Sequence, residues 1–147
     1  MGKKNPKGYE FLEHVSDAYI MAYGKTLNEA FENAARAMFD VMTDVVSIEP
    51  KIEEMVEVKA KDEYELLYNW LEILLIKFDT ESMLYSKFSV YEIGKSCEEA
   101  FLKAKIYGEP FDINKHVSKI EVKAITFHQM EILKKNDFYT LKFILDL

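Results

Sequence analysis

The sequence predicts an α+β fold in a single domain, a mixed or antiparallel sheet with two main helices packed on one face. Three features carry that prediction. Two amphipathic helical stretches, near residues 27–42 and 62–78, each follow a strand-like segment. The second half reads as strands alone, without the crossover helices that a doubly wound parallel sheet requires. No Pro/Gly/Ser-rich linker divides the 147 residues, which are enough for one domain with a substantial core.

Residues 1–8 are expected to form a flexible N-terminal arm, with the domain spanning 9–147. Lys3, Lys4 and Lys7 make the arm the only basic cluster, a pattern typical of a solvated terminus. The first strand places apolar residues at odd positions (Phe11, Val15) and then at even ones (Ala18, Ile20, Ala22). This slip falls within Glu13-His14-Val15-Ser16-Asp17, near Ser16-Asp17, and predicts a β-bulge that re-aims His14 and Asp17. A strand-end bend in which Asp17 satisfies local backbone donors is the alternative.

Thr26-Leu27-Asn28-Glu29 is a capping box and starts the first helix. Leu27, Ala30, Phe31, Ala34, Ala35, Met38, Phe39 and Met42 form its apolar face, and Thr43-Asp44 closes it. After Glu49-Pro50, the segment from Met55 to Lys61 alternates Val56, Val58 and Ala60 with Glu57, Lys59 and Lys61, a half-buried strand. Asp62 caps a second helix, with Glu65 three residues on. Its broad apolar surface from Leu66 to Phe78 predicts that it is the more buried of the two. Strands follow at 84–93 and 100–107, then a Gly108-Glu109-Pro110 break and a short polar segment, 111–116. The last two strands, 119–133 with a break near Thr126 and 138–147, flank a turn at Lys134-Lys135-Asn136-Asp137. The similar lengths and caps of the first two strand–helix units raise the prospect of an internal repeat.

Composition narrows the function. With 49% hydrophobic, 14% aromatic and 31% charged residues, the chain is a folded protein with a soluble surface. Its net charge of −7 disfavours tight direct binding of nucleic acid. Cys97 is the single cysteine, which removes disulfides, zinc ribbons and C-x-x-C chemistry and points to a reducing, cytoplasmic setting. No stretch approaches a membrane span, and the abundance of Lys and Glu beside a single Gln leans toward a thermophile's composition.

Gly24-Lys25-Thr26 has the strand-to-helix context of a phosphate-binding P-loop, but the position five residues before Gly24 is Tyr19 rather than glycine. The cap explains Thr26 and the turn explains Gly24. The sharper signal is at the other end. In the terminal strand Tyr139, Leu141, Phe143, Leu145 and Leu147 share one face, so Asp146 points to the other, beside the main-chain oxygens of Leu147. If the first and last strands meet, Asp17 joins this group in a hard-oxygen site suited to Ca²⁺ or Mg²⁺, with Mn²⁺ tolerated if His14 takes part. An ordinary frayed terminus is the plainer alternative. Glu13 with Asp17 could form an acid/base pair, but no nucleophile accompanies them. Lys123 belongs to a solvated strand face or supplies a cation to an anionic partner, and His116 and His128 read as surface histidines.

Taken in order, Tyr9 to Asp17, Gly24 to Phe31, Ala37-Met38-Phe39, Met42-Thr43-Asp44, Gly108 to Asp112, Glu121 to His128 and Ile144-Leu145-Asp146-Leu147 resemble the archease family from end to end. The resemblance implies an archease-like domain over 9–147 and a non-enzymatic protein cofactor. Such a protein activates the RtcB-type tRNA-splicing RNA ligase by promoting its guanylylation and multiple turnover. It further implies a divalent metal, Ca²⁺ first with Mg²⁺ or Mn²⁺ as alternatives, on Asp17, Asp146 and a Leu147 oxygen; His14, Glu13 and Lys123 are possible accessory positions. The RNA ligase is the implied partner, with a tRNA methyltransferase as a second through a chaperone-like role and no membrane involved. A metal-dependent hydrolase is the rival that would turn over substrate alone.

Overall fold

The computed structural model describes residues 6–12, 17–96 and 98–147. The first segment folds as two antiparallel strands, β1 (Tyr9–Phe11) and β2 (Asp17–Gly24), with Tyr9 opposite Ala22 and Phe11 opposite Ile20. This corrects the expectation of one bulged strand. A chain reversal between two core-facing strands shifts the apolar phase just as a bulge does.

Two helices follow the predicted caps. In α1 (Leu27–Met42) the Thr26 hydroxyl accepts from the Glu29 amide, and Glu29 Oε1 accepts from the amide of Lys25, 2.7 Å away. In α2 (Glu63–Glu81) Asp62 Oδ1 accepts from Glu65, and Glu65 Oε1 from Lys61, both at 2.9 Å. Gly24 brings β2 so near α1 that a Cβ there would lie 2.7 Å from the Glu29 Cβ, confirming a structural glycine. The remaining strands are β3 (Ile52–Ala60), β4 (Met83–Ser96), β5 (Glu99–Pro110), β6 (Ala124–Lys135) and β7 (Phe138–Asp146).

All strand pairs are antiparallel, and they form two sheets rather than one, ordered β1-β2-β7-β6 and β3-β5-β4. The two halves share one plan of strand, helix, strand, strand, with the last strand in the middle of its sheet. One unit is β2, α1, β6 and β7. The other, β3, α2, β4 and β5, is inserted between α1 and β6. Each helix packs on the first strand of its own unit and also on the second strand of the other, α1 on β2 and β4, α2 on β3 and β6. The helices therefore contact both sheets.

That arrangement reverses the expected order of burial. Nine of the sixteen residues of α1 are buried against six of nineteen in α2, because alanines at 30, 34, 35 and 37 let both sheets approach α1 closely. The shared core joins Phe39, Trp70, Tyr85 and Phe88, and the buried Trp70 Nε1–H donates to the Phe31 carbonyl at 2.9 Å. The β6 ladder starts at Ala124 rather than near 119. Its predicted break is a register shift between Thr126 and Glu131, where Gln129 has φ 56°. Among the described residues no helix is long and apolar enough to cross a membrane.

Candidate metal centre

Antiparallel pairing of β2 with β7 sets Asp17 directly opposite Asp146, and on the other side of β7 Ala124 faces Asp146. Alternation turns Ala18 and Leu145 into the core and leaves both carboxylates on the outer face. Neither has an ion-pair partner among the described residues. Like charges directly opposite one another repel, so the pair is a place where a cation lowers the free energy. Oxygen donors without a thiolate suit a hard ion. Among the described residues no group of three Asp, Glu, His or Cys side chains could hold a metal, so what these residues add to the two carboxylates is main-chain oxygen.

Leu147 is half-buried and lines a groove of about 190 Å³ with Phe11, Ala18, Val41, Lys119 and Ile120. Asp40, also in that groove, accepts from the Tyr9 hydroxyl at 3.0 Å and from the Val45 amide at 3.1 Å. Burial first, and then the Asp40 carboxylate, push the Tyr9 phenol up from its ordinary pKa, so it stays a donor. Lys119 is occupied by Asp40 and Asp44, both at 3.7 Å. The exposed Lys123 sits beside the acidic pair through its backbone, donating its amide to the Asp146 carbonyl at 2.8 Å. His14 and Glu13 lie outside the described residues. His128 is exposed, as expected.

His116 is not a surface histidine: it is 2% exposed. Its Nδ1 accepts from the Asp112 amide at 2.9 Å, so Nε2 carries the proton and donates to Glu109 at 2.8 Å. Glu109 also accepts from the Glu49 amide and from Lys115. Burial opposes its charge, but the Lys115 hydrogen bond, the Glu49 amide and His116 outweigh that and hold its carboxyl down to about 2. The network clamps the connector after β5, and Lys119 fastens it to the end of α1 by donating its amide to the Met42 carbonyl at 3.0 Å. Lys123 is thereby delivered to Asp146. Sequence reasoning missed this clamp; its only local mark is a glutamate between Gly108 and Pro110 at the end of a buried strand.

Comparison with known proteins places the chain in a set of relatives. Residues 9–147 match the model of the archease protein family (MTH1598/TM1083). Protein archease of Sulfurisphaera tokodaii is 48% identical, the alignment covering 95% of this chain and 98% of that protein. Protein archease of Pyrococcus abyssi is 47% identical, over 89% and 92%. The solution structure of Methanobacterium thermoautotrophicum protein 1598 superposes with a TM-score of 0.83 at 45% identity, covering 96% of this chain and 99% of that one. A crystal structure from Thermotoga maritima, described as an archease and possible chaperone, has the same fold, with a TM-score of 0.57 at 14% identity over 94% and 96%.

Proposed function

The chain belongs to the archease family, and from that premise we propose that it is a non-enzymatic cytoplasmic activator of the RtcB-type tRNA-splicing RNA ligase, promoting its guanylylation and multiple turnover. The observation that carries the reading is the cross-strand carboxylate pair Asp17 and Asp146 at the end of the β2–β7 ladder, without an ion-pair partner among the described residues. These carboxylates and a main-chain oxygen of Leu147 would hold a divalent cation, Ca²⁺ first and Mg²⁺ or Mn²⁺ otherwise. The ion would supply positive charge and open coordination positions at an otherwise acidic end. This chain's own residues do the positioning: the Glu109–His116 clamp sets the connector, and the Lys123 amide ties it to Asp146. An acidic protein fits a basic, RNA-binding enzyme, for which complementary charge speeds a transient encounter.

The test is the single-turnover rate of guanylylation of a partner ligase with the intact chain, with Asp146→Ala, and with excess divalent metal but no chain. Acceleration lost in the variant and not reproduced by metal supports activation through the acidic end. No acceleration by the intact chain overturns the ligase assignment.

The apolar groove beside Leu147, with Phe11 43% and Ile120 46% exposed, favours a second reading, a chaperone-like modulator of RNA-processing enzymes such as a tRNA methyltransferase. Suppression of aggregation of an unrelated client by the intact chain, lost in Phe11→Ser, would separate it from the first.

A further inference from the structure

A cleft of about 570 Å³ lies where the two nested units meet. Each unit contributes the start of its helix and the end of its last hairpin. Lys25 and Thr26 come from the turn before α1, Leu27 and Asn28 from its first turn and Glu63 from α2; Ile93, Gly94, Lys95 and Ala100 come from the β4–β5 hairpin; Lys134, Asn136, Asp137 and Tyr139 come from the β6–β7 hairpin. Lys95 and Lys134 hold the same place in the repeat. Lys95 is opposite Ala100 and Lys134 opposite Tyr139, each pair near the hairpin tip of its unit. Two equivalent lysines thus converge on one cavity, and Lys25 joins them from the mouth of α1.

In a chain of net charge −7 this is a local excess of positive charge. Lys25 and Lys95 have no ion-pair partner among the described residues, and Lys134 Nζ lies 5.4 Å from the Tyr139 ring centroid. Of the two carboxylates in the lining, Glu63 stands in the first turn of α2, where the helix's own amides take up its charge. Asp137 is outnumbered by the lysines. The volume lies in the range of small-molecule sites, with Leu27, Ile93 and Tyr139 as apolar wall. It is far from the acidic pair: Tyr139 and Asp146 lie seven residues apart along β7, roughly 24 Å at the strand rise.

We propose that this cleft binds a small ligand through its chain of two or more phosphates, held by Lys25, Lys95 and Lys134. It is not a P-loop, since no glycine-rich stretch presents backbone amides; the lysine side chains carry the recognition as point charges. The proposal is independent of the ligase assignment.

The experiment is isothermal titration of the full chain with sodium tripolyphosphate at 0.15 M salt (about physiological), with ATP as a parallel arm. The triple variant Lys25→Gln/Lys95→Gln/Lys134→Gln is compared with Lys59→Gln/Lys61→Gln/Lys105→Gln, which removes equal charge outside the cleft. Saturable binding weakened about tenfold or more by the first variant and unchanged by the second is the expected result. Amide-resonance shifts of Leu27 and Asn28 in the unmodified chain, read in the same titration, locate the ligand without any substitution. Absence of saturable binding, equal weakening in both variants, shifts elsewhere only, or binding of ATP with tripolyphosphate silent would each overturn the proposal.

Discussion

Asn33 and Asn69 make the same hydrogen bond in the two nested units: each Nδ2 donates to the carbonyl ten residues earlier, Tyr23 at 2.8 Å and Lys59 at 3.0 Å. Together with the matching caps at Thr26 and Asp62, they show that each helix is locked to its preceding strand by one local device used twice. The units differ in surroundings rather than in that device. Asn33 is partly buried beside β2, whereas the Asn69 bond is exposed.

Asn33→Ala should therefore destabilise by about 1–2 kcal/mol and Asn69→Ala by about 0.5 kcal/mol, since a partly buried carbonyl left without its donor costs more than an exposed one. Urea unfolding of the two variants gives the order; equal losses would show that burial does not separate the two units.

What could be read from the sequence divides along the same line. Both helix starts were legible because caps act within four residues, and the outward turn of Asp146 was legible because strand alternation is local. The opposition of Asp17 to Asp146 depends on β2 pairing with β7 across most of the chain, which periodicity alone cannot supply. A strand reversal and a bulge shift the same apolar phase, so periodicity does not separate them. His116 looked solvated because its partner, Glu109, becomes a neighbour only once the connector folds back. The burial of α1 is hard to read from sequence because its alanines carry little hydrophobic signal, yet they are what lets two sheets close on it.

The Glu109 carboxyl is held down to about 2 in the folded chain, below the ordinary value of 4.5 that it regains on unfolding. Its depressed pKa contributes stability that is full above pH about 4.5 and is lost as pH falls toward 2. Glu109→Gln should lower stability at neutral pH by about 2–3 kcal/mol, leaving the buried His116 N–H without its anionic acceptor and Lys115 with Glu49 alone, and should flatten the acid limb between these values. Thermal unfolding from pH 2 to 7 reads both; an unaltered acid limb in the variant would assign the loss to other carboxylates.

Gly108 packs so tightly against β4 that a Cβ there would lie 1.8 Å from the Leu84 carbonyl oxygen, next to the register shift between Tyr85 and Lys87. Backbone cannot yield as a side chain can. Gly108→Ala should cost about 3 kcal/mol or more through strand displacement, whereas Gly94→Ala meets only the edge of the Phe101 ring and should cost less. Denaturation midpoints of the two variants test the ranking, and a harmless Gly108→Ala would mean that the sheet gives way there.

The repeat supplies its own control for the acidic end. Asp17 lies 36 positions before Glu53, and Glu53 faces Tyr107 where Asp17 faces Asp146, so one unit opposes two carboxylates and the other only one. With chelator present, Asp146→Asn should leave the chain as stable as before or more so, by about 0.2–1 kcal/mol, because cross-strand repulsion is removed. With Ca²⁺ at about a hundred times its dissociation constant, the unmodified chain should gain about 2.7 kcal/mol and Asp146→Asn or Asp17→Asn nearly none, while Glu53→Gln keeps the full gain. Differential scanning calorimetry with and without Ca²⁺ measures all four proteins. An equal Ca²⁺ response in Asp146→Asn would place the ion elsewhere, and a destabilised apo variant would mean that Asp146 acts through bonds rather than through repulsion.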